Sequence, residues 1–190
     1  MASRRAGAGL DRRRRDLARR RRLGHHVRLW EHAFVPGAPA TAPAAWPAAS
    51  RLTRDPARAT LVLLAHPGCP CTRTTLDELE DLLARLPRPP HAFVVALAAA
   101  TPPDGWTSDA LRARAATIPG VTVVQDVDGA EARRFGAQTS GQVLVYDAAG
   151  ALRFCGGLTP ARGHASDRPA RATLAARLAS PTATPLHAPV

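Results

Sequence analysis

Residues 60–73 read TLVLLAHPGCPCTR and contain the strongest structural and chemical signal in the chain. The first six of these residues form an apolar run suited to a buried strand, and a turn follows them. Cys69 and Cys71, two of the chain's three cysteines, come next, where a helix should begin. Because the N-terminus of a helix carries a partial positive charge and free N–H groups, it favours a thiolate over a thiol. We therefore expect reactive thiols at this turn.

Strands and helices alternate on both sides of the turn. The patterns predict strands over residues 59–65, 92–98, 121–124, 142–146 and 151–155, and helices over 72–86, 109–117, 129–135 and 169–178. Thr72 is a candidate cap for the first helix, and its acidic residues, Asp77, Glu78, Glu80 and Asp81, are expected on a solvated face. The order βαβαβαββα calls for helices on both faces of a mostly parallel sheet, with a hairpin at its edge. The predicted fold class is α/β, a three-layer α/β/α sandwich with a central mixed sheet.

The positive charge of the chain is concentrated at its N-terminus. The 190 residues contain no Lys, and 26 Arg against 15 acidic residues give a net charge of +11. Residues 1–30 hold 11 Arg and only Asp11 and Asp16, a balance of +9. Because the total charge reflects this tail, it does not predict specific nucleic-acid binding, and the tail is suited instead to an anionic surface or lipid. The bias toward Arg, Ala and Pro is typical of a GC-rich bacterial genome.

Composition divides the chain into four segments. We predict a basic, disordered tail over residues 1–34, a Pro/Ala-rich linker over 35–56, a folded domain over 57–180 and a loose tail over 181–190. The sequence has no run of 18 apolar residues and no secretory signal, so no transmembrane helix is predicted. The expected location is cytoplasmic for the sequence as written, and membrane-anchored or periplasmic if its N-terminus is mis-annotated.

The thiol motif and the element order around it resemble the thioredoxin fold over residues 57–178. The thioredoxin pattern at the strand end is roughly Ala-x-Trp-Cys-Gly-Pro-Cys, and residues 65–71 read AHPGCPC without insertion. Pro70 and Cys71 match the last two positions, whereas Gly68 replaces the usual nucleophilic cysteine and Cys69 follows one residue later. The resemblance therefore implies a redox pair compressed from C-x-x-C to C-x-C.

A second segment, residues 135–143, resembles the one that carries a cis-proline facing the thiols in thioredoxins. Gly141 takes the place of that proline and cannot reproduce its cis preference, although glycine lets another backbone approach closely. Together with residues 66–73 and 156–164, Thr139-Ser140-Gly141 resembles a bacterial RedB-like group of thioredoxin-fold proteins. Members of that group have an N-terminal membrane anchor, where this chain has Arg-rich sequence.

Our first interpretation is a thiol–disulfide oxidoreductase that needs no cofactor and acts on protein or small-molecule thiols and disulfides. Cys69, nearer the turn, is expected to be the exposed, attacking thiolate, and Cys71, inside the first helical turn, its resolving partner. A C-x-C disulfide closes a small ring, and strained, exposed disulfides are the labile, oxidising ones. Pro70 restricts this ring further, and Arg73 adds positive potential that favours a thiolate. The residues expected to support the site are His66, Pro70, Arg73, Ser140 and Gly141.

Two other interpretations stay open, so the sequence alone leaves open whether the chain is an enzyme. Cys69 and Cys71 with His66 offer ligands that suit Cu or Zn, which predicts a non-enzymatic metal-binding module. His164 is the remaining candidate ligand in the domain. The third interpretation is an inactive thioredoxin-fold scaffold, consistent with the shifted cysteine and the missing proline. Cys155, in the hairpin, is expected to be a buried strand residue.

Overall fold

The computed structural model describes residues 42–101, 108–159, 172, 174–176, 178 and 186–187. All of them belong to one compact unit, residues 37–190. The predicted basic tail, the first part of the linker, the start of the last helix and His164 lie outside the described residues. Within the described ranges, no helix is long and apolar enough to cross a bilayer.

A six-stranded mixed sheet forms the centre of the domain. Its strands are β1 (Thr60–Ala65), β2 (His91–Ala98), β3 (Val121–Val127), β4 (Gln142–Tyr146), β5 (Leu152–Gly156) and β6 (Leu186–His187). Their order is β3-β2-β1-β4-β5-β6. Strands β1 to β3 are parallel, and the β4–β5 hairpin continues the sheet with β4 antiparallel to β1. The fold class predicted from the sequence is confirmed.

Helices cover both faces of this sheet. The described helices are α1 (Cys71–Arg85), α2 (Asp109–Ala116) and α3 (Ala130–Arg134), and residues 172, 174–176 and 178 are also helical. Apolar residues of α1 and Leu174 share one core cluster with alternate residues of β1, such as Leu61 and Leu63. The other residues of β1, including Val62 and Leu64, face a second cluster that contains Phe135, at the end of α3. Successive side chains of β1 thus point to opposite faces of the sheet and contribute to two separate apolar layers.

The beginning of α1 and one of its faces differ from the sequence predictions. The helix begins at Cys71, and Pro70 occupies the N-cap position without a side-chain hydrogen bond, so the prediction of Thr72 as the cap was wrong. Glu78, predicted to be solvated, is only 6% exposed. Helical geometry explains this, because Glu78 lies seven residues after Cys71 and four before Leu82, on the face that packs against the sheet. Asp77 and Glu80 lie toward α2 instead and bind Arg114.

The described part of the predicted linker packs against the domain. Trp46 contacts the rings of Phe135 and Tyr146 edge-on, with centroids 5.1 and 5.3 Å away. Ala45 forms a β-bridge with Ala151, and Leu52 is buried. This extended segment therefore covers part of the second apolar layer. The short strand β6 was not expected either, because two residues leave no periodic pattern in a segment predicted to be loose.

Candidate functional site

The two cysteines lie on the turn that connects β1 to α1. The turn is held by its own backbone: the N–H of Cys69 donates to the carbonyl of His66 at 3.1 Å, and the N–H of Thr72 donates to the carbonyl of Cys69 at 3.1 Å. The N–H of Gly68 donates to Nδ1 of His66 at 3.0 Å. The residues between the strand and the helix thus form a compact loop rather than an open connection.

A disulfide joins Cys69 to Cys71 within this loop, with the two Cα atoms 5.3 Å apart. Cys71 is the first residue of α1 and is 6% exposed, whereas Cys69 is partly exposed. Pro70 and Arg73 on either side of Cys71 are exposed. The sequence predicted the same order of exposure for the two cysteines. An attacking sulfur from outside the protein therefore reaches Cys69 more readily than Cys71.

Three hydrogen bonds connect the two ends of the cysteine loop to each other and to Ser140, a residue outside the loop. The N–H of His66 donates to Oγ of Ser140 at 2.9 Å, and the hydroxyl of Thr72 donates to the carbonyl of His66 at 3.0 Å. The two hydroxyl oxygens are 3.3 Å apart. Because a hydroxyl has one proton and Thr72 gives its own to His66, Ser140 is the donor between them. We call this closed set of three bonds the hydroxyl ring, made by His66, Thr72 and Ser140.

Gly141, beside Ser140, is fixed to the end of β1. Its N–H donates to the carbonyl of Leu64 at 2.8 Å, and its φ is +87°. A Cβ at this position would lie 3.3 Å from Oγ1 of Thr75, which itself donates to the carbonyl of Cys71 at 3.1 Å. Proline has no N–H, and its φ is near −65°, so it fits neither the bond nor the backbone here. No cis peptide bond occurs among the described residues.

A cleft of about 780 Å³ borders Cys69 on the side of α2. Its lining includes Pro67, Arg73, Leu76 and Leu111. Arg114 joins the two helices that form the walls, because its Nη2 lies 2.6 Å from carboxylate oxygens of both Asp77 and Glu80. These bonds raise the pKa of Arg114 above its ordinary value, so its charge is permanent. Cys69 is therefore one of the residues that line a cleft between α1 and α2.

The described residues contain no cluster of three or more His, Cys, Asp or Glu side chains that would hold a metal ion. The sulfurs of Cys69 and Cys71 are bonded to each other, and Nδ1 of His66 accepts the hydrogen bond from Gly68. This oxidised arrangement does not fit the three-ligand set predicted for Cu or Zn, since the metal needs thiolates.

Cys155 stands apart from the Cys69–Cys71 disulfide. It is 3% exposed on β5, so the prediction of a buried strand residue is confirmed. Burial raises the pKa of its thiol, although the amide of Gln142, with Nε2 3.7 Å from Sγ, acts in the opposite direction. A neutral, buried thiol is a poor nucleophile. Cys155 therefore serves as an internal reference for experiments on the other two cysteines.

Comparison with known proteins gives matches to solved structures alone: no protein-family model and no curated protein matches the chain. An uncharacterized conserved protein from Geobacillus kaustophilus is 16% identical with a TM-score of 0.54, covering 77% of this chain and 81% of that one. A hypothetical protein from Sinorhizobium meliloti 1021 is 18% identical with a TM-score of 0.48, covering 82% and 91%. A secreted Mycobacterium tuberculosis disulfide oxidoreductase homologous to E. coli DsbE is 17% identical with a TM-score of 0.47, covering 64% and 81%.

The chain shares its mixed-sheet α/β fold with the Geobacillus kaustophilus protein. At these identities the similarity concerns the fold, and the site is described by this chain's own residues. Sequence reasoning named His66 and Ser140 as supporting residues but did not connect them, and it assigned Thr72 to a helix cap. Thr75 was not singled out. The two hydroxyl residues, Thr72 and Ser140, are visible in the sequence, but they are 68 positions apart, and no local sequence pattern predicts a contact at that separation.

Proposed function

We propose that this chain is a thiol–disulfide oxidoreductase that cycles between the Cys69–Cys71 disulfide and the corresponding dithiol. The observation that supports this most directly is the disulfide itself, at a strand–helix turn with Cys69 partly exposed and Cys71 buried. Cys71 is the first residue of α1, where the helix N-terminus stabilises a thiolate. The relationship to the RedB-like group is part of the same proposal.

In the oxidising direction, a substrate thiolate attacks Sγ of Cys69, the S–S bond breaks and Cys71 leaves as a thiolate. A second substrate thiolate then attacks the substrate sulfur of the mixed disulfide and releases Cys69 as a thiolate. Two electrons pass from the substrate dithiol to the protein, and the substrate gains one S–S bond. The reverse sequence, in which Cys69 attacks a substrate disulfide and Cys71 resolves the intermediate, reduces the substrate. The substrate of this exchange can be a protein or a small molecule that carries a thiol or a disulfide.

Trapping the mixed disulfide tests these roles. In reduced Cys71→Ser, we expect Cys69 to form a stable one-to-one adduct with oxidised glutathione, because the resolving thiol is missing. In reduced Cys69→Ser, the buried Cys71 should react at least about tenfold more slowly. Mass spectrometry of the intact protein follows both reactions, and Cys155→Ser serves as the control that leaves the pair intact.

Equal rates for the two variants would contradict the assigned roles. Wild-type protein that purifies with about one equivalent of Cu or Zn and has thiols protected from glutathione would contradict the oxidoreductase. That result would favour the metal-binding module with His66. Unreactive thiols without metal would favour the inactive scaffold.

A further inference from the structure

The hydroxyl ring ties together the two ends of the loop that contains both cysteines. His66 lies at the strand end of this loop and Thr72 in the first turn of α1, and Ser140 bonds to both. The carbonyl of His66 accepts two hydrogen bonds, one from the N–H of Cys69 and one from the hydroxyl of Thr72. The span across which the disulfide forms is therefore bridged twice, directly by Thr72 and through Ser140, a side chain from a distant part of the sequence.

Ser140 is itself held in place by its neighbour. Gly141 is bonded to the carbonyl of Leu64 in β1, and a Cβ added to it would lie 3.3 Å from Oγ1 of Thr75 in α1. Ser140 thus contacts the cysteine loop from a backbone that is hydrogen-bonded to the strand before the loop and leaves little room for a side chain between itself and the helix after it. Because the backbone of Ser140 is already fixed, its hydroxyl loses little conformational freedom when it bonds to the loop. It therefore restricts the loop more than a hydroxyl on a mobile segment would.

We propose that Ser140, acting with Thr72, is a positioning residue that sets the reduction potential of the Cys69–Cys71 pair. In the dithiol the S–S bond is absent, and the two sulfurs meet only as often as the loop conformation brings them together. The ring holds both ends of the loop in the disulfide-forming arrangement, so it raises the equilibrium constant for oxidation, as orientation does for any intramolecular reaction. The inference rests on the proposed redox function.

The equilibrium with glutathione measures this effect. Two reduced glutathione molecules and the protein disulfide exchange two electrons and two protons, giving the protein dithiol and one oxidised glutathione. We expect Ser140→Ala and Thr72→Val each to lower the equilibrium constant for disulfide formation about tenfold, which raises the potential by about 30 mV. The double variant should shift by about the same amount as either single variant, because each change breaks the same ring.

Conservative variants distinguish positioning from a general loss of structure. Ser140→Thr and Thr72→Ser keep a hydroxyl at each position, so we expect potentials close to that of the wild type. Thr117→Val removes a hydroxyl that bonds the carbonyl of Arg114 at the end of α2, outside the ring, and serves as the control. A residue with only a structural role destabilises the oxidised and reduced forms equally and leaves the potential unchanged.

Each outcome decides the inference. If wild-type protein titrates reversibly and the ring-breaking variants keep its potential, the positioning role is wrong and the redox function stands. If wild-type protein itself shows no reversible equilibrium, the proposed function fails and the inference fails with it. If Ser140→Ala does not fold, as judged by circular dichroism, Thr72→Val breaks the same ring from the helix side and carries the same prediction.

Discussion

Gly141 is the residue at which this site departs most clearly from the thioredoxin pattern. Its positive φ and its bond to Leu64 give it a backbone role that the proline of the family pattern cannot take. The segment before β4 is therefore joined to β1 by a hydrogen bond. This hydrogen bond fixes the backbone next to Ser140, whose side chain contacts the cysteine loop, so Gly141 helps to support the Cys69–Cys71 disulfide.

Replacing Gly141 with Ala tests this support. A Cβ would lie 3.3 Å from Oγ1 of Thr75, and the φ of +87° is unfavourable for any L side chain. We expect Gly141→Ala to lower the free energy of unfolding by about 2 kcal/mol in urea denaturation. Gly120→Ala is the matched control, because its φ is +79° but no heavy atom lies within 4 Å of the added Cβ. Its loss should be about 1 kcal/mol, and equal losses at the two positions would show that the contact with Thr75 is unimportant.

At the scale of elements, a buried carboxylate joins α3 to the segment before β1. Glu131 has no exposed side-chain surface and accepts hydrogen bonds from the hydroxyl of Ser50 at 2.7 Å, the N–H of Arg51 at 3.1 Å and Arg134 at 2.7 Å. Burial alone would raise the pKa of Glu131, but the bonds from Ser50 and Arg51 and the charge of Arg134 outweigh it, so the pKa is below its usual value. The helix and the segment are thus linked by a charge that persists into mild acid.

This arrangement predicts a pH-dependent stability. A carboxylate with a lowered pKa stabilises the folded state above its ordinary pKa of about 4.3, and the contribution is lost as the pH falls through the lower, folded pKa. We expect Glu131→Gln to cost about 1–3 kcal/mol at pH 7 and progressively less below about pH 4. Urea denaturation across this range measures the difference, with Asp109→Asn, at an 80% exposed side chain, as the control. A cost that stays constant with pH would contradict the assignment.

The elements that could be predicted from the sequence are those with a strong local pattern. The apolar run of β1 and the leucine spacing of α1 placed both elements within one or two residues, and with them the cysteines at the turn. Glu78 and Glu131 could not be placed, because the burial of a charged residue depends on partners far along the chain. The hydroxyl ring was missed for the same reason, since its hydrogen bonds join residues in separate elements.

At the scale of the whole molecule, the domain includes residues that the sequence assigned to a linker. Trp46 packs on Phe135 and Tyr146, and the hydroxyl of Tyr146 donates to the carbonyl of Pro43 at 3.0 Å. Proline and alanine content predicted an extended segment, and composition alone carries no information about which surface such a segment covers. The aromatic contacts, rather than the composition, make residues 42–52 part of the folded unit.

Substituting Trp46 tests how much this segment contributes. We expect Trp46→Ala to reduce the free energy of unfolding by about 2 kcal/mol, because a half-buried indole and two edge-on ring contacts are lost. Trp46→Phe keeps an aromatic ring against Phe135 and Tyr146 and should lose less. Far-UV circular dichroism in urea follows both variants. Unchanged stability of Trp46→Ala would show that folding does not depend on this segment.

The central claim is that Cys69 and Cys71 form a reversible redox pair, and counting thiols across a redox titration tests it most directly. Denatured wild-type protein should show one free thiol, that of Cys155, before reduction and three after it. In glutathione buffers of increasing oxidation, the two additional thiols should disappear together in a single two-electron transition, without bound metal by elemental analysis. Three free thiols that no buffer oxidises, or two thiols protected by Cu or Zn, would contradict the account.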